Sequence, residues 1–452
     1  MLRTFVNAWK IPDLRKKLLF TAFIILVFRI GSAIPVPFVD IIEGGIVQGA
    51  AEGTFMEYLS LMTGSAFNYG TIFAMSITPY INASIIMQLL TVAIPALERL
   101  QKEGEEGRKK IAAITRYVTI GLGLMQSTAY YMYLRNQNFL ATNSNGVAYA
   151  GGWAFFQAIV IVFAFTAGTA LIMWLGEQIN DKGIGNGISI ILFAGIVSRI
   201  PSLVAQLYSP DISVGYLMRH EAFYILSPLV GVILLLMVVY IVWMDNAERR
   251  LPVQYAKRVV GRKMYGGQNT HIPIKVNMTG VLPIIFASSI LSLPPTVQMF
   301  VDVAEGSRWN SFFSIFSSQH WAYIIIYFFL IIGFAYFYSS IQYNPIDMAN
   351  NIRRNGGAIP GLRPDRTTSD YIAKVLSRIT LLGALMLSVV ALFPIIFSQV
   401  TTLILTKGIG LESGMNIALG GTSIIIMVGV ALETVKQLES QMMMRHYKGF
   451  LD

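Results

Sequence analysis

Residues 60–90 read SLMTGSAFNYGTIFAMSITPYINASIIMQLL. The opening part, Ser60 to Gly70, is short, rich in small residues and too polar to be comfortable in lipid. From Thr71 to Leu97 the chain is apolar and carries no charge, and it is long enough for a bilayer crossing, which takes about 20 helical residues. Ile77 and Ile81 are four apart within it and therefore stack on one helical face. Pro79 lies between them, and Asn82, Ser84 and Gln88 follow. A helix that only faces lipid has little use for two amides and a proline near mid-membrane. The pattern predicts a helix that lines an aqueous path, with the preceding segment filling that path at rest.

Of the 452 residues, 54% are hydrophobic and only 13% charged, against about 25% charge in a soluble domain. A polytopic membrane protein follows. Apolar runs of spanning length fall near 18–38, 71–97, 114–134, 153–175, 184–205, 222–244, 279–300, 320–342, 375–399 and 417–438. With the N-terminus cytoplasmic, the segments left inside carry 28 Lys and Arg and the outside loops five, Arg29 being within the first span. This bias puts both termini in the cytoplasm. The basic N-terminus, the apolar run and Gly31-Ser32-Ala33 also have the outline of a cleaved leader, but nine further spans and Arg29 favour a retained first helix. The fold class expected is all-α, with ten transmembrane helices in two halves of five, 1–205 and 206–452. An odd number per half makes the halves start on opposite sides, the geometry of inverted repeats with a path at their interface.

Catalytic chemistry is hard to find. The chain has no cysteine, so no disulfide, thiol nucleophile or Cys metal site, and its four histidines lack ligand spacing. From Thr71 to Leu97, and in the cores of the third to tenth spans, there is no ionisable Asp, Glu, Lys, Arg or His, which argues against an ion-coupled transporter. Arg29 is expected to snorkel to the outer interface or to pair with a carbonyl. Gly183-Ile184-Gly185-Asn186-Gly187 has no preceding strand and no Lys-Ser/Thr after it, so it reads as a glycine-rich entry to the fifth span, not a nucleotide loop. Asn82-Ala83-Ser84 and Asn277-Met278-Thr279 match the glycosylation triplet by chance, one in the membrane and one beside an inside loop. Ile188 and Leu192 repeat the four-residue spacing of Ile77 and Ile81, although periodicity alone equally describes lipid- or helix-facing residues. Ser288-Ser289 and Asn82-Ala83-Ser84 read equally well as small-residue packing sites. Two inside loops, 245–278 and 341–374, are long, basic and punctuated by turn residues such as Gly356-Gly357 and Pro360-Gly361. They serve the positive-inside rule and anionic lipid, and their length predicts shaped projections that dock a partner.

FRIGSAIPVP (28–37), the TPYINASIIMQLL run, WLGEQINDKGIGNGISI (174–190), YAKRVVGRKMY (255–265), KVNMTGVLPIIFASSI (275–290), NPIDMANNIRRNGGAIPGLRP (344–364) and GGTSIIIMVGV (420–430) together resemble the bacterial SecY family, the channel subunit of the Sec protein translocase. The resemblance covers nearly the whole chain, in order. It implies a passive conduit in the bacterial cytoplasmic membrane for unfolded secretory polypeptides and their signal peptides, with lateral release of hydrophobic segments into lipid. It implies no catalysis, cofactor, metal or DNA. Ile77, Ile81, Ile188, Leu192, Ile285 and Ile426 match the family's pore ring. Ser60, Leu61, Met62, Thr63, Gly64, Ser65, Ala66 and Phe67 match the plug. Asn82 and Leu293 match facing positions of a lateral gate, with Gln88, Ser288 and Ser289 as further polar groups there. Arg363, Arg262 and Lys263, with Lys257, Arg258, Arg353 and Arg354 nearby, match surfaces that engage the SecA ATPase motor or the ribosome. SecE and SecG are the implied partner subunits, in a setting of membrane lipids. Leu192 stands where isoleucine is commoner, and Gly64-Ser65-Ala66 replaces a Gly-Gly-Ala type plug turn. A ring of branched aliphatics offers an ion nothing in exchange for its hydration shell, yet can part around a chain of any sequence. Polar groups facing each other across a gate would hold it shut by weak intramembrane hydrogen bonds, roughly 0.6 kcal/mol each.

Overall fold

The computed structural model describes residues 2–40, 66–136, 139–141, 151–208, 222–255, 258–260, 263–265, 269–298, 309, 312–313, 315–316, 320–363, 366–408 and 421–448. Its long helical elements, in chain order, are α1 (Leu2–Lys10), α2 (Pro12–Gly31), α3 (Thr78–Ala93), α4 (Pro95–Lys102), α5 (Glu105–Asn136), α6 (Gly152–Lys182), α7 (Gly187–Tyr208), α8 (Ala222–Asn246), α9 (Leu282–Gln298), α10 (Trp321–Gln342), α11 (Pro345–Arg354), α12 (Arg366–Gly408) and α13 (Gly421–Lys448). All but α1, α4 and α11 occupy the ten predicted spans. Several run past the apolar stretch at their polar end, as α5 and α12 do, because backbone hydrogen bonding does not stop where the bilayer does.

The run 71–97 is not one helix, contrary to expectation. Residues 71–77 are a chain of turns. The Thr71 amide and hydroxyl both donate to the Ala66 carbonyl at 3.2 Å, and the Ile72 amide donates to the Ile34 carbonyl at 3.0 Å. These bonds tie the segment to the chain leaving α2, beside a bridge between Pro35 and Thr71. Pro79, with no amide to lose, opens α3 in the first turn. At the other end Ile94 is extended (φ −108°, ψ 114°) because Pro95 follows it, and α4 leaves at 100° to α3. Apolarity alone could not reveal these breaks.

The helices of the first half pack through small residues. Thr115, Thr119, Gly123 and Ser127 recur every four positions on α5 and are buried, facing Thr166 and Thr169 of α6. Thr166 Oγ1 lies 3.3 Å from Ser127 Oγ across that seam, and these threonines also bond the carbonyl one turn back. Such contacts allow close approach in lipid, where no hydrophobic force drives helices together. A separate core in the second half joins Met237, Ile241, Ile284, Tyr327, Leu387 and Ile425 of α8, α9, α10, α12 and α13.

The two long loops, 245–278 and 341–374, come together in one unit. Strand β1 (Glu248–Tyr255) is followed by a hairpin of β2 (Arg258–Val260) and β3 (Lys263–Tyr265), then β4 (Asn269–Lys275); β5 (Gly357–Ala358) comes from the second loop. Antiparallel pairing in the order β4–β1–β5 joins both loops, with Gln254 opposite Ala358 and Tyr255 opposite Gly357. Leu251, Val253 and Ile274 from the sheet, Ile352 and Ile359 from the second loop, and Ile372 from the base of α12 share one core.

Gly168 of α6 is where the 71–77 turns meet the first half. A Cβ there would come 2.0 Å from the Ile72 carbonyl oxygen, a backbone atom that cannot swing away. Gly168→Ala is therefore expected to cost about 1–3 kcal/mol, measured as faster thermal inactivation in detergent. An unchanged half-life would show that these turns are not clamped against α6.

Candidate functional site

Four elements distant in sequence send aliphatic side chains into one cluster between the two halves. Ile77 sits at the N-cap of α3 and Ile81 one turn on, its amide bonded to the Ile77 carbonyl at 3.0 Å. Ile188 and Leu192 lie a turn apart at the start of α7, Ile285 in the first turn of α9 and Ile426 in α13. Ile77, Leu192 and Ile426 belong to a single apolar core, 1%, 4% and 2% exposed, and the half-buried Ile81, Ile188 and Ile285 pack against it. Phe28, Phe73, Ile172, Ile179 and Val430 join the same core. These residues went unnoticed in sequence because nothing separates them from the other apolar residues of their spans.

Capping positions the α7 pair. The Gly187 amide donates to Asn180 Oδ1 at 2.7 Å and the Ile188 amide to Asn186 Oδ1 at 3.1 Å, which satisfies donors that the first turn of a helix leaves open. Gly187 has no room for a side chain, since a Cβ would lie 1.9 Å from the Gly176 carbonyl oxygen of α6. Gly185, at φ +85°, makes the left-handed turn before it. The Thr21 hydroxyl accepts from the Ile184 amide at 3.2 Å and fastens this entry to α2. The glycine-rich stretch thus shapes a helix start beside the waist, as its lack of a preceding strand predicts.

Of the segment matched to a plug, Ser60, Leu61, Met62, Thr63, Gly64 and Ser65 lie outside the described residues. Ala66 and Phe67 are buried. The Phe67 ring centroid is 4.4 Å from that of Tyr130, whose hydroxyl donates to the Phe67 carbonyl at 2.5 Å. That end of the segment is anchored to α5.

Of the residues matched to a gate, Asn82 and Gln88 are half-buried on α3, and Ser288 and Ser289 lie on α9. The side chain of Leu293, also on α9, is outside the described set. Asn82 Oδ1 is buried and has no hydrogen-bond partner among the described residues. Ser288 Oγ donates to the Ile285 carbonyl of its own helix at 3.0 Å. The Asn82 carboxamide oxygen thus makes no hydrogen bond to the described residues of α9. Arg29 is neither snorkelling alone nor held only by a carbonyl, since its Nη1 donates to Ser198 Oγ of α7 at 3.1 Å.

Charged groups gather near the ends of the apolar runs. Arg116 Nε of α5 is 2.7 Å from Glu177 Oε1 of α6. Lys436 Nζ of α13 is 3.5 Å from Asp245 Oδ2 at the end of α8, and Asn277 Nδ2 donates to Asp245 Oδ1 at 3.3 Å. Their placement at span ends is visible in sequence, but their pairing is not. Farther out, Arg353 and Arg354 are exposed in the last turn of α11. Arg363 is exposed too, and its carbonyl accepts from the Thr367 and Thr368 hydroxyls at 2.9 and 2.7 Å. Arg258 and Lys263 lie on the β2–β3 hairpin; Lys257 and Arg262 are outside the described residues.

The two-loop sheet depends on its small core. Ile372→Ala, at a position with no exposure, is expected to cost about 2–5 kcal/mol locally. Faster amide hydrogen exchange in β1 and β4, with the spans unaffected, is the expected reading. Unchanged exchange would mean that the loops fold independently of α12.

Comparison with known proteins agrees with this arrangement. The family model described as SecY matches residues 71–435. The protein translocase subunit SecY of Streptomyces galbus is 43% identical over 455 residues, covering 100% of both chains. That of Mycobacterium tuberculosis strain H37Rv is 41% identical over 461 residues, again covering 100% of each. A solved structure described as that of a protein conducting channel shares the fold with a TM-score of 0.61 at 16% identity, over 94% of this chain and 92% of the other.

Proposed function

The chain belongs to the SecY family, and from that premise we propose that it is the channel subunit of a protein translocase, passing unfolded polypeptides through the apolar waist and releasing hydrophobic segments sideways between α3 and α9. The convergence of Ile77, Ile81, Ile188, Leu192, Ile285 and Ile426 on one apolar cluster, three of them buried and three half-buried against it, carries this reading. An ion that entered such a constriction would shed hydration with no polar ligand in return, so the waist resists leakage. A polypeptide could still pass, because aliphatic side chains make no directional bonds to be broken. Opening is then the selection of a minor state by a signal peptide that binds it better.

The remaining assignments extend this reading. Residues 1–205 and 206–452 act as two bundles that move against each other, and Ser60–Phe67 stoppers the outer side. The exposed Arg353, Arg354 and Arg363, with the β2–β3 hairpin, form the face offered to a SecA-type motor or a ribosome. SecE- and SecG-type subunits complete the complex. The setting is the bacterial cytoplasmic membrane with both termini inside, as the distribution of basic residues favours. The protein acts as a conduit, its driving energy coming from the bound partner.

Placing an amide in the waist should let water and ions through. Ile81→Asn, in the complex reconstituted into liposomes, is expected to raise resting ion leak severalfold or more while leaving export competent. A leak equal to that of the unaltered protein would refute the waist as the seal. The cysteine-free chain also permits a direct gate test: Asn82→Cys with Leu293→Cys, oxidised, should block insertion and export until reduced. Normal export with the cross-link in place would exclude a gate between α3 and α9.

A further inference from the structure

Among the described residues, only Phe38 and Ser76 are non-glycines at positive φ, and Ser76 has φ +48°. A side chain makes that left-handed conformation costly, and strain of this kind persists only where the surroundings impose it. Ser76 carries a second cost. It is 1% exposed, and its hydroxyl has no hydrogen-bond partner among the described residues, although a buried hydroxyl ordinarily finds one. Both penalties fall on the residue immediately before Ile77.

The surroundings that impose the strain are identifiable. The Ser76 amide donates to the Phe73 carbonyl at 2.9 Å and the Ala74 amide to the Thr71 carbonyl at 2.9 Å, so the turns brace one another. Phe73 stacks on Phe28 of α2 with centroids 5.8 Å apart, and its edge fills the space over Gly31, where a Cβ would lie 2.1 Å from Cε2. On the other side the Ile72 carbonyl is pressed against Gly168 of α6. The turns are thus wedged between two helices of the first half, and the wedge determines both where α3 begins and where Ile77 points.

We propose that Ser76 is a positioning residue that sets how readily the waist opens. Its strained backbone and stranded hydroxyl load the shut arrangement, and the load is released when α3 moves and the turns leave their wedge. The inference rests on the channel reading above. A glycine at 76 would adopt the same φ without penalty and strand no hydroxyl, so it would favour the shut state. A β-branched residue would suffer more at positive φ and disfavour it. The comparison is between two folded states, so the greater freedom of a glycine in the unfolded chain does not enter.

The test uses the complex with its partner subunits in liposomes, scoring resting ion leak and the signal-peptide concentration that gives half-maximal opening. Ser76→Gly should lower the leak by about fivefold or more, given the usual cost of such a conformation, and raise the half-maximal concentration by a similar factor. Ser76→Val should move both in the opposite direction. A Ser76→Gly leak equal to or above that of the unaltered protein overturns the inference. Ile81→Asn, measured alongside, separates the two failures. If it leaks while Ser76→Gly has no effect, the waist stands and the strain argument falls; if it does not leak, the channel reading has itself failed.

Discussion

The structure depends on how aliphatic side chains behave where water is scarce but close at hand. Within lipid, apolar residues gain little by leaving acyl chains for each other, and helices associate through packing and local hydrogen bonds. Next to aqueous vestibules the same side chains gain about 25 cal/mol for each Å² removed from water. Under the proposed function the waist is the one place where both conditions meet, and there Ile77, Ile81, Ile188, Leu192, Ile285 and Ile426 collapse together. The seal arises from that collapse. It can re-form after each passage because no specific partner has to be found again.

The rest of the architecture brings segments of four helices to that cluster. Pro79 begins α3 inside the apolar run 71–97, and Asn180 and Asn186 cap the start of α7. Two helices thus begin close to the waist, where their first turns are directed by turns and caps and not by a long preceding helix. Glycine supplies the close approaches, Gly187 against the Gly176 carbonyl and Gly168 against that of Ile72. Ion pairs lie near the ends of the apolar runs, as in Arg116–Glu177 and Asp245–Lys436. Partly exposed pairs of this kind contribute little to stability. The sheet that unites the two loops works differently, since its apolar core ties it to the base of α12 through Ile372.

Asn82 is the α3 residue that the family resemblance matches to a gate. In sequence it suggests a hydrogen-bonded clasp, yet its carboxamide oxygen is buried and unbonded among the described residues. Ser76, six residues before it, is likewise buried with a stranded hydroxyl. Under the proposed function, two unsatisfied groups beside the waist raise the free energy of the shut state and narrow its lead over the open one.

Spans, their number and the bias of basic residues were legible in the order of residues alone, because about 20 apolar residues and flanking charges reflect bilayer thickness and insertion, which act locally. The six waist residues were legible only through family resemblance, since spacing on one helix cannot tell a pore-facing isoleucine from a lipid-facing one. Tertiary structure decided the rest. It broke the run 71–97 into turns, a helix and a bent continuation, because the Ala66 and Ile34 carbonyls capture the Thr71 and Ile72 amides. It joined two loops about 100 residues apart into one sheet through Gln254 and Ala358. It added Phe28 and Phe73 to the waist and placed Ser76 at a left-handed φ. Each of these outcomes rests on contacts between residues far apart in the chain, and hydrophobicity read along a single run carries no record of what will lie across from it.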